Sequence, residues 1–144
     1  MDMIDCFEGK YDFLSNFYEH PIQYNGIVYP TNEHFFQAMK SLKEDERKMI
    51  AAAPTPGKAK RLGRAVTLRS DWETIKYDIM LMGLRLKFCD KDLREKLRAT
   101  GDEYLIEGNW WHDNTWGDCS CERCKTTRGR NELGRLLMQV RNEI

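Results

Sequence analysis

Ile22-Gln23-Tyr24-Asn25-Gly26-Ile27-Val28-Tyr29-Pro30-Thr31-Asn32-Glu33-His34-Phe35-Phe36-Gln37-Ala38-Met39-Lys40 changes its hydrophobic period halfway along. In the first half, Ile22, Tyr24, Ile27 and Tyr29 flank Asn25-Gly26, the dipeptide that a type I′ turn wants because both of its central residues need positive φ. In the second half Thr31 can cap a helix, and Phe35, Ala38, Met39 and Leu42 recur at 3.6-residue spacing. The stretch therefore predicts a hairpin running straight into a helix that reaches Lys40 or Leu42, with Glu33, Gln37 and Lys40 together on its polar face. A sheet followed by helices is an α+β arrangement.

Outward from there the pattern is helical. The charged stretch from Lys43 predicts a second helix into Ala53. Pro54-Thr55-Pro56 then stops the chain and restarts it, with Thr55 as cap and Pro56 in the first turn of a basic helix over Gly57–Arg64. Ser70-Asp71-Trp72-Glu73 has capping-box spacing and opens a helix to about Phe88 whose apolar residues fall on nearly every face, the mark of a central helix. Asp90–Arg98 is a further helix closed by Gly101, Tyr104–Glu107 reads as a strand, and Asn131–Asn142 is the last helix. Residues 108–130 form a long loop rich in Trp, Gly, Asp and Cys, and loops of that length in compact domains are usually functional or disordered. The expectation is one mostly helical α+β domain with a small antiparallel sheet, spanning 1–144, with one core and one site.

The 144 residues carry 23 Lys+Arg against 23 Asp+Glu, so a surface that grips nucleic acid along its whole extent is excluded and an anionic ligand must meet a local patch. Five Cys, an odd count, without a basic-then-apolar leader point to the reducing cytosol. No apolar run approaches the ~20 residues that cross a bilayer, which removes membrane functions.

Four constellations carry chemistry. Glu33, Gln37 and Lys40 present carboxylate, amide and amine on one stripe with Phe36 at its edge; a solvated helix face is the alternative, and Phe36 fits that poorly. Gly57-Lys58-Ala59-Lys60-Arg61-Leu62-Gly63-Arg64 places four cations after a helix start, a seat for phosphate or else a solvated basic face. In Glu107-Gly-Asn-Trp110-Trp111-His112-Asp113-Asn-Thr-Trp116-Gly117-Asp118, carboxylates stand among three Trp, where an apolar surround would raise a carboxyl pKa; the alternative is that Asp113 or Asp118 caps a turn. Cys119-Ser-Cys121-Glu-Arg-Cys124 has three of the four ligands that a structural zinc wants, with His112, Cys6 or Cys89 as the fourth; reduced surface thiols are the plainer reading. A Cys nucleophile with His34 or His112 as base is open, and His20 and His34 otherwise read as satisfied structural residues.

Taken together, Tyr11–Tyr18, Tyr29–Lys40, Ala59–Arg64, Trp72, Met80–Phe88, Thr100–Asp102, Leu105–Glu107, Asp113–Gly117 and Gly129–Met138 resemble, in order and spacing, the NADAR (NAD and ADP-ribose associated) or YbiA-like domain family. The Cys119–Cys124 cluster lies outside the resemblance. The family is described as N-glycosidases acting either on phosphorylated ribosylamino-pyrimidine intermediates of riboflavin synthesis or on ADP-ribose joined to guanine in nucleotides, DNA or RNA. Its fold is a single, mostly helical α+β domain.

Loss of the base leaves positive charge on the sugar, so a carboxylate should stabilise that charge or activate water while a donor protonates the leaving nitrogen. The resemblance implies Glu33 and Asp113 as the carboxylates. Lys40 would orient the leaving base, or attack C1 and pass through a Schiff base with the ring-opened ribose. Trp72 or Trp116 would stack on the base, Ser15, Asn16 and Phe17 would hold ribose or phosphate, and Lys60 and Arg64 would pair with phosphate oxygens. Phe36, Gln37, Gly117 and Asn131 complete the substrate-binding set. No cofactor is expected beyond a structural zinc at Cys119, Cys121 and Cys124, no membrane, and no obligate protein partner; the cytoplasm is the expected location. A module that binds ADP-ribose without turning it over is the alternative function, and an adaptor built on a zinc loop the third.

Overall fold

The computed structural model describes residues 2–144, which fall into two compact units, one of residues 16–89 and the other of residues 2–15 with 90–144. In the first unit, β2 (Glu19–Tyr24) and β3 (Ile27–Thr31) form the antiparallel hairpin that the sequence predicts; β1 (Met3–Ile4) precedes it in the other unit. Asn25 and Gly26 have φ of 50° and 79°, so both central turn positions are left-handed, as the dipeptide requires. Register slips between Glu19 and Ile22, around Pro21, which has no N–H for the ladder.

The hairpin runs directly into α1 (Asn32–Ala38), followed by α2 (Glu44–Ala51), α3 (Pro56–Leu62) and α4 (Trp72–Lys87). Thr31 and Thr55 cap α1 and α3 by accepting the His34 and Lys58 N–H groups. The expected capping box before α4 does not form. Asp71 is the N-cap, its carboxylate is held by Arg69 at 2.7 and 3.2 Å, and no side chain caps the helix.

The burial of the two key helices is the reverse of what their patterns predict. Thr31 through Met39 are buried without exception, because β2, β3, α2, α3 and α4 pack around α1. The helix α4 buries one stripe instead, Trp72, Ile79, Met80, Gly83, Leu84 and Lys87, leaving Leu81, Met82 and Leu86 half-buried. Helix α1 also stops at Ala38, short of the expected Lys40. There the Lys40 carbonyl accepts the Arg69 N–H at 2.8 Å, a tie to the chain ahead of α4 in place of a continued helix.

The second unit contains a 3-10 helix (Gly9–Leu14), α5 (Lys91–Ala99), β4 (Tyr104–Leu105), β5 (Gly108–Asn109), β6 (Asp118–Cys119) and α6 (Glu132–Glu143). Its core is built on Leu14, Leu97, Leu105, Leu133 and Leu137. β1 pairs with β4 and β5 with β6, both in parallel, so this unit has two short parallel pairs that the expected antiparallel sheet did not include. The α+β class holds. No helix among the described residues is long and apolar enough to cross a membrane.

Gly83 shows how closely α1 and α4 pack. A Cβ there would meet Asn32 Oδ1 and the Phe35 ring, and the Asn32 amide is tied through Nδ2 to Asn16 Oδ1 at 2.8 Å. Alanine would gain about 1 kcal/mol of helix propensity, yet overpacking of this kind costs up to about 3 kcal/mol. Gly83→Ala is expected to lose about 2 kcal/mol in urea unfolding; a neutral or stabilised variant would show that the contact yields.

Candidate active site

Burial makes the polar residues of α1 informative. Glu33 is 8% and Gln37 4% exposed, and a carboxylate this deep needs a partner. Gln37, one turn on, donates from Nε2 to Glu33 Oε2 at 2.6 Å. The backbone of Glu33 is fixed as well: its N–H, which has no acceptor within the helix, donates to the Asn16 carbonyl at 3.0 Å. Gln37 Oε1, by contrast, finds no donor among the described residues and lies against Gly63, where a Cβ would collide with it. A buried acceptor left unpaired costs about 1–3 kcal/mol, and such a cost is usually tolerated at a working site.

Lys40 follows the helix end and is half-buried. Burial pulls its amine below the ordinary lysine range. The Glu33 charge opposes that shift, Arg64 and Lys60 add to it, and Glu73 opposes it more weakly. Glu33, Lys40, Lys60 and Arg64 thus share one electrostatic environment in this unit: a carboxylate and an amine with two further cations. Phe36, buried at 6%, packs its ring on Trp72 with centroids 5.0 Å apart. Asn16 receives Asn32 Nδ2 on its Oδ1, and Phe17 is 46% exposed.

His34 is structural here. Its Nδ1 lies 2.8 Å from Thr31 Oγ1 and its Nε2 3.0 Å from the Ala53 carbonyl, so Nε2 carries the proton and Nδ1 accepts; burial lowers its pKa and keeps it neutral.

The remaining expected residues lie in the second unit. Ser15 donates its N–H to Asp12. Asp113 Oδ1 accepts the N–H groups of Thr115 and Trp116 at 3.1 and 2.9 Å, the turn-capping arrangement. Trp110 and Trp111 are 71% and 52% exposed, and Trp116 is half-buried. The Asn131 amide is engaged by backbone: Oδ1 accepts the Glu107 N–H at 2.9 Å and Nδ2 donates to the Leu105 carbonyl at 2.9 Å. That pair aims Glu107, whose Oε2 also accepts from Asn109 Nδ2 at 3.2 Å and abuts Gly117, where any Cβ would strike it.

Sequence reasoning passed over several residues. Gly63, Gly83 and Asn32 give no periodic signal, although glycines facing buried amides mark close approach. Asn109 is invisible without the fold. Lys87, at 1% exposure, is a buried cation with Nζ 5.5 Å from the Tyr18 ring centroid. His112, Cys119, Cys121 and Cys124 bring one ligand atom each within 4.8 Å of one another, a set able to hold a metal ion, with His112 supplying the fourth member.

Residues 6–144 match the NADAR domain model, which runs through both units. The chain is 39% identical over 137 residues to the N-glycosidase YbiA of Escherichia coli, covering 93% of this chain and 82% of the relative. An N-glycosidase of Nostoc punctiforme is 40% identical over 140 residues, covering 93% and 86%. A riboflavin biosynthesis protein of Vibrio vulnificus is 36% identical over 95% of this chain and 36% of its own length. The NMR structure of Escherichia coli YbiA superposes with a TM-score of 0.80 at 38% identity, covering 99% of this chain and 84% of that one.

Gly63 tests whether the Gln37–Glu33 pair is positioned by packing. Its φ of −60° suits alanine, so Gly63→Ala strains no backbone, and the three atoms nearest the added Cβ all belong to Gln37. Turnover is expected to fall about 10²-fold with far-UV circular dichroism unchanged; full turnover would remove Gly63 from the positioning argument.

Proposed function

The chain belongs to the NADAR domain family and is a hydrolase of N-glycosyl bonds, and we propose that the bond it cuts is the ribosyl C1–N bond of a phosphate-bearing N-riboside. Two substrates have that chemistry, ADP-ribosylated guanine in a nucleotide or nucleic acid and a phosphoribosylamino-pyrimidine. The second is favoured by relatives named for riboflavin biosynthesis, in Vibrio vulnificus and in Zea mays.

One observation carries the proposal: the buried Glu33 carboxylate, held by Gln37, in the same electrostatic environment as the Lys40 amine with Lys60 and Arg64. As the C1–N bond breaks, the sugar gains positive charge, and a desolvated carboxylate stabilises it more strongly than water would. The electron pair leaves with the nitrogen, which takes a proton; water supplies the new C1–O bond and the balancing proton. Lys60 and Arg64 fit substrate phosphate oxygens.

The lowered pKa of Lys40 bears on the route. Burial shifts Lys40 toward the neutral amine, the direction an attacking amine needs, so attack of Nζ on C1 with hydrolysis of the resulting Schiff base stands beside the orienting role. In the second unit Asp113 is the further carboxylate implied by resemblance, and Glu107, aimed by Asn131 and Asn109, is a second candidate for the same task. The reaction so written draws on side chains and water.

Free base released from an ADP-ribosyl-guanine oligonucleotide and from a phosphoribosylamino-pyrimidine, assayed side by side, tests the proposal. Wild-type protein is expected to release base from at least one, and Glu33→Gln and Lys40→Ala each to lower kcat about 10²–10⁴-fold. Borohydride should trap a sugar adduct on the wild type and none on Lys40→Arg. Asp113→Asn and Glu107→Gln, assayed alongside, assign the second carboxylate. Tight binding of ADP-ribose with no base release from either substrate would replace the hydrolase by a binding module.

A further inference from the structure

We propose that His112, Cys119, Cys121 and Cys124 form a structural zinc site that ties down the loop between β4 and α6. The case is geometric and does not depend on which N-riboside the protein cleaves. The four candidate ligand atoms all lie within 4.8 Å of one another. His112 Nδ1 is 3.2 Å from Cys121 Sγ and 3.5 Å from Cys124 Sγ. A tetrahedral zinc with bonds of ~2.3 Å to sulfur and ~2.0–2.1 Å to nitrogen sets its ligands ~3.5–3.8 Å apart. The four side chains are thus close to the spacing of a zinc shell before any ion is added.

The backbone is shaped to deliver them. Parallel pairing of Asn109 with Cys119, through β5 and β6, lays the bend at 110–112 beside the chain that follows Cys119. His112 sits at φ 71°, a left-handed conformation that is uncommon for a residue with a Cβ. Its N–H donates to Cys119 Sγ at 3.3 Å, and the Cys119 N–H donates to Asn114 Oδ1 at 2.8 Å. Cys121 and Cys124 have the C-x2-C spacing, closed by a Cys124 N–H bond to the Cys121 carbonyl at 3.0 Å.

Neither competing reading accounts for four converging groups. A disulfide uses two sulfurs and leaves the third Cys and the imidazole without a reason to be there. Reduced surface thiols have no cause to gather, and Cys119 and Cys124 are buried, unlike the exposed Cys6 and Cys89. Three Cys and one His make a closed set with no open position, so the metal is structural rather than catalytic. The loop also needs such a tie: Trp110 and Trp111 are exposed and its strands are two residues long, so little apolar burial holds it.

The test uses the full chain, reduced, reconstituted with zinc chloride and freed of excess metal. Elemental analysis is expected to give about one zinc per chain, and Cys121→Ser/Cys124→Ser and His112→Ala to retain at most about a tenth of that. Because a variant that misfolds would also lose metal, two readings rest on the wild type alone. Cobalt substituted for zinc should give the intense visible absorption of a tetrahedral thiolate site. A thiol reagent should titrate Cys6 and Cys89 at once and the other three only after chelation. Wild-type protein that holds no more zinc than the double variant, or whose five thiols react alike with and without zinc, would overturn the site.

Discussion

The hydrogen bond from Gln37 to Glu33 lies inside a helix that has no solvent face, and much of the first unit follows from that placement. A carboxylate in such a position must be paired, since desolvating it alone would cost more than a domain of this size can absorb. The Gln37 amide meets one oxygen, and the Lys40, Lys60 and Arg64 charges bear on the same region. Neighbouring backbone accommodates the pair: Gly63 makes room for Gln37, and the Asn16 carbonyl receives the Glu33 N–H.

The second unit solves a different problem, that of ordering a long loop with little apolar burial. Backbone polarity supplies much of the answer. The N–H groups of Asn131, Glu132 and Leu133, which begin α6 and lack acceptors within it, donate to the carbonyls of Gly117, Thr115 and Trp116. The loop is thereby fastened to the helix start, and that helix start is occupied by protein, not by an anion. Gly134 lets α6 lie against the Leu105 carbonyl, and Asn131 aims Glu107 from the same junction. His112, Cys119, Cys121 and Cys124 converge within the same loop.

Local physics was legible in the sequence, and non-local physics was not. Asn25-Gly26, Thr31 and Thr55 act on backbone within three residues of themselves, so the turn and two caps could be read directly, while Asp90, read as the first residue of its helix, is that helix's N-cap. Periodicity misjudged α1, because a polar residue counts as solvent-facing in any such reading and Glu33 and Gln37 are buried, and it misjudged α4, whose apolar residues on other faces are left half-buried. The Ser70 box does not form because α4 starts one residue later, with Asp71 and not Ser70 at the N-cap, and the Asp71 carboxylate is turned to Arg69. The pairings of Met3 with Tyr104 and of Asn109 with Cys119 leave no trace in segments two residues long. Glu33 and Lys40 were legible as residue types at helical spacing, and the three Cys as an incomplete ligand set that the fold completes with His112.

Burial lowers the Lys40 pKa and the Glu33 charge opposes that shift. NMR titration of the lysine side chains, with Lys40 assigned by Lys40→Arg, measures it directly. Burial should place the Lys40 pKa below the ordinary lysine value. Since the Glu33 charge favours the protonated amine, Glu33→Gln should lower that pKa further. A Lys40 that titrates at or above the ordinary value, or that does not respond to Glu33→Gln, would contradict the account.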